Sequence, residues 1–244
     1  MKNLENDDLY IVSEVINLFI RVRAGGYVPK SGFMLIESIN KFDFTDKMVV
    51  DIGCGETGIV AHYIYTQNAR SVVGVDIDEV AINHVKNSSN FSNRIEWILG
   101  DFRDIKNGAF DVIVSNPPQM PMSTADRVKL DNCHDSPGET GREMIVEILK
   151  TSANILNKGG RIFMLIFDFL GVDRSFNNDL SLKEICADYG FSCEIVGAYP
   201  KIVEDYGQTG KKISWIKNIY PYYFFETNKD GNLFHNILVV EFKR

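Results

Sequence analysis

Short apolar runs recur along the chain at Lys47 to Ile52, Ser71 to Asp76, Ile95 to Leu99, Asp111 to Ser115, Gly160 to Phe167, Cys193 to Tyr199 and Asn236 to Phe242. Each is rich in β-branched or aromatic residues and shorter than a typical helix, so each predicts a strand. Between them the apolar spacing changes to that of a helix at Glu79 to Asn87, at Arg142 to Leu156 with a stop at Lys158-Gly159-Gly160, and at Ser181 to Tyr189 with a stop at Gly190. Strands alternating with helices predict an α/β fold, a largely parallel sheet with helices on both faces. Near the start, Leu9, Val12, Ile16, Phe19 and Ile20 keep helical spacing behind Glu5, Asp7 and Asp8, which predicts an amphipathic helix rather than a signal peptide or a membrane span. Residues 1–45 therefore read as a helical extension and 46–244 as the α/β domain, with 200–234 inserted between its last two strands.

The loops after these strands carry the candidate chemistry. Met48-Val-Val-Asp-Ile-Gly-Cys-Gly-Glu-Thr-Gly58 runs from a strand into a turn where Gly53, Gly55 and Gly58 have G-x-G-x-x-G spacing. Such a turn lets backbone approach a nucleotide. Asp51, Asp76 and Asp101 fall at or near three successive strand ends, the edge where open α/β sheets bind ligands, and Asp76 stands about 20 residues past the glycines, where a ribose diol is gripped. An acid two residues before the first glycine opposes a pyrophosphate at the following helix, which argues against a dinucleotide and for a cationic ligand.

Asn116-Pro117-Pro118-Gln119 follows the apolar run Phe110 to Val114. An Asn side chain offers a carbonyl acceptor and an amide donor, and two prolines stiffen the backbone after it without adding donors. That is a rigid acceptor site suited to a planar NH2 group.

Together these residues resemble the class I S-adenosylmethionine-dependent methyltransferases: Asp51-Ile-Gly-Cys-Gly-Glu-Thr-Gly58 as first motif, Gly74-Val-Asp76-Ile-Asp78 as second, Gly100-Asp101 as third, in order and spacing. Ser115-Asn-Pro-Pro118 is similar to the N-P-P-[YF] motif of members that methylate planar nitrogens, including the protein-glutamine (release-factor) methyltransferases. Gly26-Tyr-Val-Pro-Lys-Ser-Gly-Phe-Met-Leu-Ile36 resembles the Tyr-x-Pro segment of that subgroup. The resemblance implies a Rossmann-like class I methyltransferase fold, a mostly parallel seven-stranded sheet whose last strand runs antiparallel beside the sixth. It implies S-adenosyl-L-methionine as cofactor, bound by Asp51, Gly53, Gly55, Asp76, Ile77, Asp101, Phe102 and Asn116. Asn116, Pro117 and Pro118 become the catalytic residues, and Asn116, Gln119, Tyr27 and Pro29 the acceptor-binding ones.

Position 119 departs from the family pattern, which has an aromatic there. An aromatic ring stacks on a planar group for about 0.5–1.5 kcal/mol beyond area burial, and Gln119 supplies none of this. Either its amide meets a polar acceptor, or it points away and another aromatic takes the role. Residues 1–45 are also shorter than the helical substrate domain of bacterial release-factor methyltransferases.

Charge narrows the acceptor. The 244 residues hold 26 Lys and Arg against 33 Asp and Glu, a net charge of −7, which disfavours nucleic acid. Lys211-Lys-Ile-Ser-Trp-Ile-Lys217 reads as a solvated loop or edge, or else as a track for a phosphate backbone. The cluster Ile219-Tyr-Pro-Tyr-Tyr-Phe-Phe225 either packs as core or roofs a pocket. The loop from Met120 to Gly141, with Asp126, Arg127, Asp131, His134 and Asp135 in it and Arg142 just after, is either a specificity loop or a plain connection.

Cys54, Cys133, Cys186 and Cys193 are widely spaced with no C-x-x-C pair, which fits a reducing, cytoplasmic setting, and no His or Cys spacing implies a metal. The expected function is methyl transfer to a planar nitrogen, first a protein glutamine amide, then a small metabolite, then a nucleic-acid base; a scaffold that kept the fold is the non-enzymatic reading. Oligomeric state is left open.

Overall fold

A computed structural model describes residues 9–13, 18–22, 30–105, 109–128 and 138–244. It contains two compact units, the first ending at Asn116 and the second beginning at Pro117.

The first unit opens with β1 (Leu9–Ser13) and β2 (Leu18–Val22), an antiparallel pair in which Ile11 faces Ile20. This corrects the amphipathic helix expected over Leu9 to Ile20; within 1–45 the described helix is α1, further on. A helix on the expected stripe would bury Val12 and Phe19, yet these are 60% and 44% exposed, while Leu18, Ile20 and Val22 alternate inward. The period of two wins because strand β2 gains a partner: Arg21 N donates to Ser88 O and Phe19 N to Asn90 Oδ1.

Then come α1 (Lys30–Ile39), β3 (Met48–Ile52), α2 (Ile59–Thr66), β4 (Ser71–Asp76), α3 (Glu79–Val85), β5 (Glu96–Leu99) and β6 (Phe110–Ser115). The strands lie parallel in the order β5-β4-β3-β6, with Asp51 level with Gly74 and Val114. Val49, Val50, Val72, Val75, Val112, Ile113 and Val114 are all buried, as in a sheet covered on both faces. Asp78 caps α3 by accepting from Val80 N and Ala81 N.

The second unit contains α4 (Thr124–Val128), α5 (Glu143–Ile155), β7 (Leu156–Phe167), α6 (Leu182–Asp188), β8 (Ser192–Ile202), α7 (Gln208–Ile219), the two-residue β9 (Glu226–Thr227) and β10 (Leu233–Lys243). Strand order is β7-β10-β8, and β10 is antiparallel to both neighbours, with Ile237 opposite Phe167 on one side and Tyr199 on the other. The last strand thus lies beside its predecessor, as the resemblance implies. Helix α6 opens with a complete capping box between Ser181 and Glu184.

Helix α7 covers the stretch expected as a solvated loop or edge. Thr209 and Ile216, with Tyr220 at its C-cap, are buried, and Lys211 and Lys217 are exposed. Among the described residues no helix is long and apolar enough to cross a membrane.

Candidate active site

The glycine turn follows β3 directly. Gly53 N and Cys54 N both donate to Val75 O, at 2.8 and 3.2 Å, which folds the turn over the end of β4. Gly53, Gly55 and Gly58 have φ of +73°, +63° and +52°, values that L side chains rarely adopt. The three glycines serve two purposes. A Cβ on Gly58 would lie 2.4 Å from the Trp97 ring, and one on Gly74 2.3 Å from it, so both make room for the indole, whose Nε1 donates to Ser92 O. A Cβ on Gly53 or Gly55 would meet nothing within 4 Å, so these two present bare backbone to open space. That space is the cradle a ligand's atoms would fill.

Asp51 is buried and accepts from Ala61 N, in the first turn of α2, at 3.2 Å. Burial pushes its pKa up to about 7; the Ala61 N–H pulls the other way, and the nearby Asp76 carboxylate adds to the rise. No Lys, Arg or His of the described residues contributes to that shift. Asp76 spends one lone pair of each oxygen on the protein, Oδ2 on Gly55 N at 2.8 Å and Oδ1 on Asp78 N at 3.0 Å. The remaining lone pairs are available to hydroxyl donors. Ile77, just after it, is 47% exposed, and Leu99, paired in register with Asp76, is 48% exposed. Large apolar side chains left in water at a strand end are what a flat apolar ligand covers.

Asp101 caps the short turn Phe102–Asp104 and is gripped by Arg103, whose Nε lies 2.9 Å from each carboxylate oxygen; this pairing holds the Asp101 carboxyl below the ordinary range. Arg103 was not singled out from sequence, although its position two residues after a capping acid is a local signal. Phe102 is buried.

At the end of β6, Ser115 Oγ donates to Ile52 O at 2.8 Å and ties β6 to β3. Asn116 is exposed, and its Nδ2 donates to Ser31 Oγ on α1 at 2.9 Å. In this arrangement Oδ1 has no partner among the described residues. Ser31 belongs to the quoted Tyr-x-Pro segment but carried no signal of its own. Tyr27 and Pro29, the acceptor-binding residues expected from that segment, lie outside the described residues.

Pro117 is buried and Pro118 half-buried. Gln119, expected to bind substrate, is only 4% exposed; its Nε2 donates to Leu165 O at 2.8 Å and to Pro117 O at 3.3 Å, and its Oε1 accepts from Phe167 N at 2.7 Å. With all its amide groups engaged inside the second unit, Gln119 has no donor left for a substrate, which corrects the substrate-facing expectation.

The loop that follows is held by α7. Lys212 Nζ pairs with Asp126 at 2.7 Å, Trp215 Nε1 donates to Glu139 O at 3.2 Å, and Tyr220 OH donates to Thr140 O at 2.7 Å. Lys212 and Trp215 are thereby engaged with protein. Asp131, His134 and Asp135 lie outside the described residues. Arg142 is buried and donates to Leu170 O and Leu180 O. In the aromatic cluster Tyr220 and Tyr223 are core, Tyr223 OH donating to Asp168 Oδ1 at 2.8 Å, whereas Tyr222 and Phe224 are exposed.

Residues 25–192 match the family model of the methyltransferase small domain. A Methanocaldococcus jannaschii protein to which protein N5-glutamine methylation is ascribed is 29% identical over 188 residues, 76% of this chain and 90% of that one. A Clostridium botulinum protein named release factor glutamine methyltransferase is 25% identical over 197 residues, 73% of this chain and 66% of its own length. The T. thermophilus 16S rRNA N2 methyltransferase, solved with AdoMet and guanosine, aligns with 97% of this chain and 50% of its own at 16% identity and a TM-score of 0.54. That likeness shows the fold alone: the Rossmann-like class I methyltransferase fold, a mostly parallel sheet with an antiparallel last strand and helices around it. With the family model spanning well over half of its length, the chain belongs to the methyltransferase small domain family and is an S-adenosylmethionine-dependent methyltransferase.

Proposed function

We propose that the protein methylates a planar nitrogen, first of all the side-chain amide of a glutamine in a protein acceptor. The observation that carries this reading is the exposed Asn116 amide, held at one end by Ser31 immediately before two prolines, with Oδ1 unpartnered among the described residues. The names of the M. jannaschii and C. botulinum relatives support the amide acceptor.

Bound in the glycine cradle, S-adenosylmethionine supplies a methyl group on a positively charged sulfur. Asp51 would face the ligand's ammonium, Gly53 and Gly55 would admit it close to backbone, and Asp76 would take the ribose hydroxyls. Ile77 and Phe102 would border the adenine, and Asp101, whose two oxygens already accept from Arg103 N, Nε and Nη2, would take the adenine amino group by sharing one of those positions. Asn116 Oδ1 and the Pro117 carbonyl accept the two N–H protons of the acceptor amide. Holding both protons leaves the nitrogen lone pair as the one group free to point at the methyl carbon, which is catalysis by positioning and electrostatics. No strong base is required, because the proton leaves for solvent once the nitrogen carries the methyl group.

A small-metabolite amine is the second reading, favoured by the lack of an aromatic at position 119. The test is calorimetric titration with S-adenosylhomocysteine followed by transfer of labelled methyl to a glutamine-containing peptide, with small amines and RNA alongside. Methylated peptide at the glutamine, read by mass spectrometry, is the expected result; label only on a small amine or on RNA overturns the glutamine assignment.

A further inference from the structure

Two consecutive prolines create a local problem for the strand beside them. Neither Pro117 nor Pro118 has an N–H, so neither can donate to a neighbouring carbonyl. Gln119 solves it with its side chain. Its Nε2 donates to Leu165 O at 2.8 Å and its Oε1 accepts from Phe167 N at 2.7 Å. These are the two backbone groups that flank Ile166, and a strand neighbour would offer them a C=O and an N–H in the same way. The primary amide of Gln119 therefore stands in for a residue of a β-ladder. The second proton on Nε2 reaches Pro117 O at 3.3 Å. Both donors are used and the acceptor is used, so no alternative flip of the amide satisfies the same groups. Gly141 packs against the backbone of the same residue: a Cβ there would lie 2.3 Å from the Gln119 main-chain oxygen, and its φ of +82° suits glycine.

We infer that Gln119 is a positioning residue for methyl transfer, acting through the Pro117 carbonyl, which it ties to the end of β7. This rests on the role given to Pro117 under Proposed function. The amide occupies one lone pair of that carbonyl and leaves the other for the acceptor N–H, so the acceptor is oriented by a fixed backbone oxygen where the family pattern has an aromatic ring.

Gln119→Met keeps the side-chain length and removes the hydrogen bonds; Gln119→Glu keeps the shape and sets a carboxylate oxygen against Leu165 O and Pro117 O. The chain has a single Pro-Pro bond, at 117–118, so proline labelled at both its carbonyl carbon and its nitrogen yields one directly bonded labelled pair, which reports on the Pro117 carbonyl alone by NMR. The expected result for either variant is a displaced Pro117 carbonyl resonance, S-adenosylhomocysteine affinity within about threefold of the parent, and kcat on the glutamine peptide at least about thirtyfold lower with KM within about threefold. A displaced resonance with kcat unchanged reduces Gln119 to a purely structural residue and overturns the inference. A raised KM with kcat unchanged overturns it too, since it places Gln119 against the substrate. If the parent enzyme does not methylate the peptide, the glutamine reading fails by itself, and the resonance still decides the tie: unmoved, it refutes it; displaced, it upholds it. Should neither variant fold, the scalar coupling across the hydrogen bond between Gln119 Nε2 and the Leu165 carbonyl in the native chain decides, its absence refuting the tie.

Discussion

The side-chain amide of Asn116 donates to Ser31 Oγ at 2.9 Å, across 85 positions of sequence. An Asn amide is a two-sided group, and a residue that must accept through Oδ1 needs something to hold its Nδ2 end. Ser31 does this from the start of α1, inside the Tyr-x-Pro segment, and so anchors the residue we assign to the acceptor amide.

Replacing Asn116 and replacing Ser31 should therefore differ in size and agree in kind. Asn116→Ala removes the acceptor oxygen and should lower kcat by about a hundredfold or more, with S-adenosylhomocysteine affinity within a few fold. Ser31→Ala loses one ordinary hydrogen bond, about 0.5–1.5 kcal/mol, and should cost about threefold to tenfold in kcat, with Ser31→Thr recovering most of it. Equal losses of affinity and turnover in Asn116→Ala would refute the catalytic assignment.

The glycines of the first turn should separate into two classes. Gly58→Ala drives a methyl into Trp97 at a positive φ, and overpacking of this kind costs about 1–3 kcal/mol before the backbone strain is added. Its signature is a fall in Tm. Gly53→Ala shares the strain but meets no protein atom, so its added effect belongs to the ligand, as a loss of S-adenosylhomocysteine affinity beyond what Gly58→Ala causes at equal folded fraction. Thermal unfolding and calorimetry on the same two variants test the division.

Asp51 should make both stability and ligand binding depend on pH around 7. Its folded pKa of about 7 lies above the ordinary 3.8, so the folded chain holds this proton more tightly than the unfolded chain does. The stabilisation is complete below the ordinary value and is lost as pH rises through about 7, up to about 4 kcal/mol over the full range. Binding runs the other way, because an ammonium prefers the ionised carboxylate. Affinity for S-adenosylhomocysteine should rise as pH is raised through 7, and Asp51→Asn should flatten both profiles while weakening binding. A parent protein whose affinity is flat across that window would remove the ammonium from the Asp51 assignment.

Tyr220→Phe deletes the hydroxyl that α7 places on Thr140 O and should cost about 1 kcal/mol of stability, with cofactor affinity unchanged. Urea unfolding compared with the parent measures it. A loss of S-adenosylhomocysteine affinity at equal folded fraction would mean that α7 also shapes the cofactor site.

The central strands were legible because runs such as Met48–Ile52, Ser71–Asp76 and Phe110–Ser115 are nearly continuous β-branched segments, buried on both faces, whose pattern admits few other readings. Strands β1 and β2 were misread because Leu18, Phe19, Ile20 and Val22 suit a helical stripe and a period-two strand alike. What settles it is the Ser88 to Asn90 backbone that receives β2, and no local pattern reveals a partner so far along the chain. Helix α7 was missed because its stripe is narrow and its lysines dominate the composition.

Residue types and spacing predicted an α/β sheet and placed Asp51, Gly53, Gly55, Asp76, Asp101 and Asn116 at or near strand ends, and the resemblance those motifs carry implied the family and its fold. Tertiary structure decided which way they face and what holds them. Gln119 turned inward to meet Leu165 O and Phe167 N, which prolines without N–H groups could not serve in full, Gly58 answered to Trp97 rather than to a ligand, Arg103 closed on Asp101, and Ser31 anchored Asn116. A hydrogen-bond partner is chosen by proximity and by the cost of leaving a buried polar group unpaired, and proximity exists only once the chain has folded.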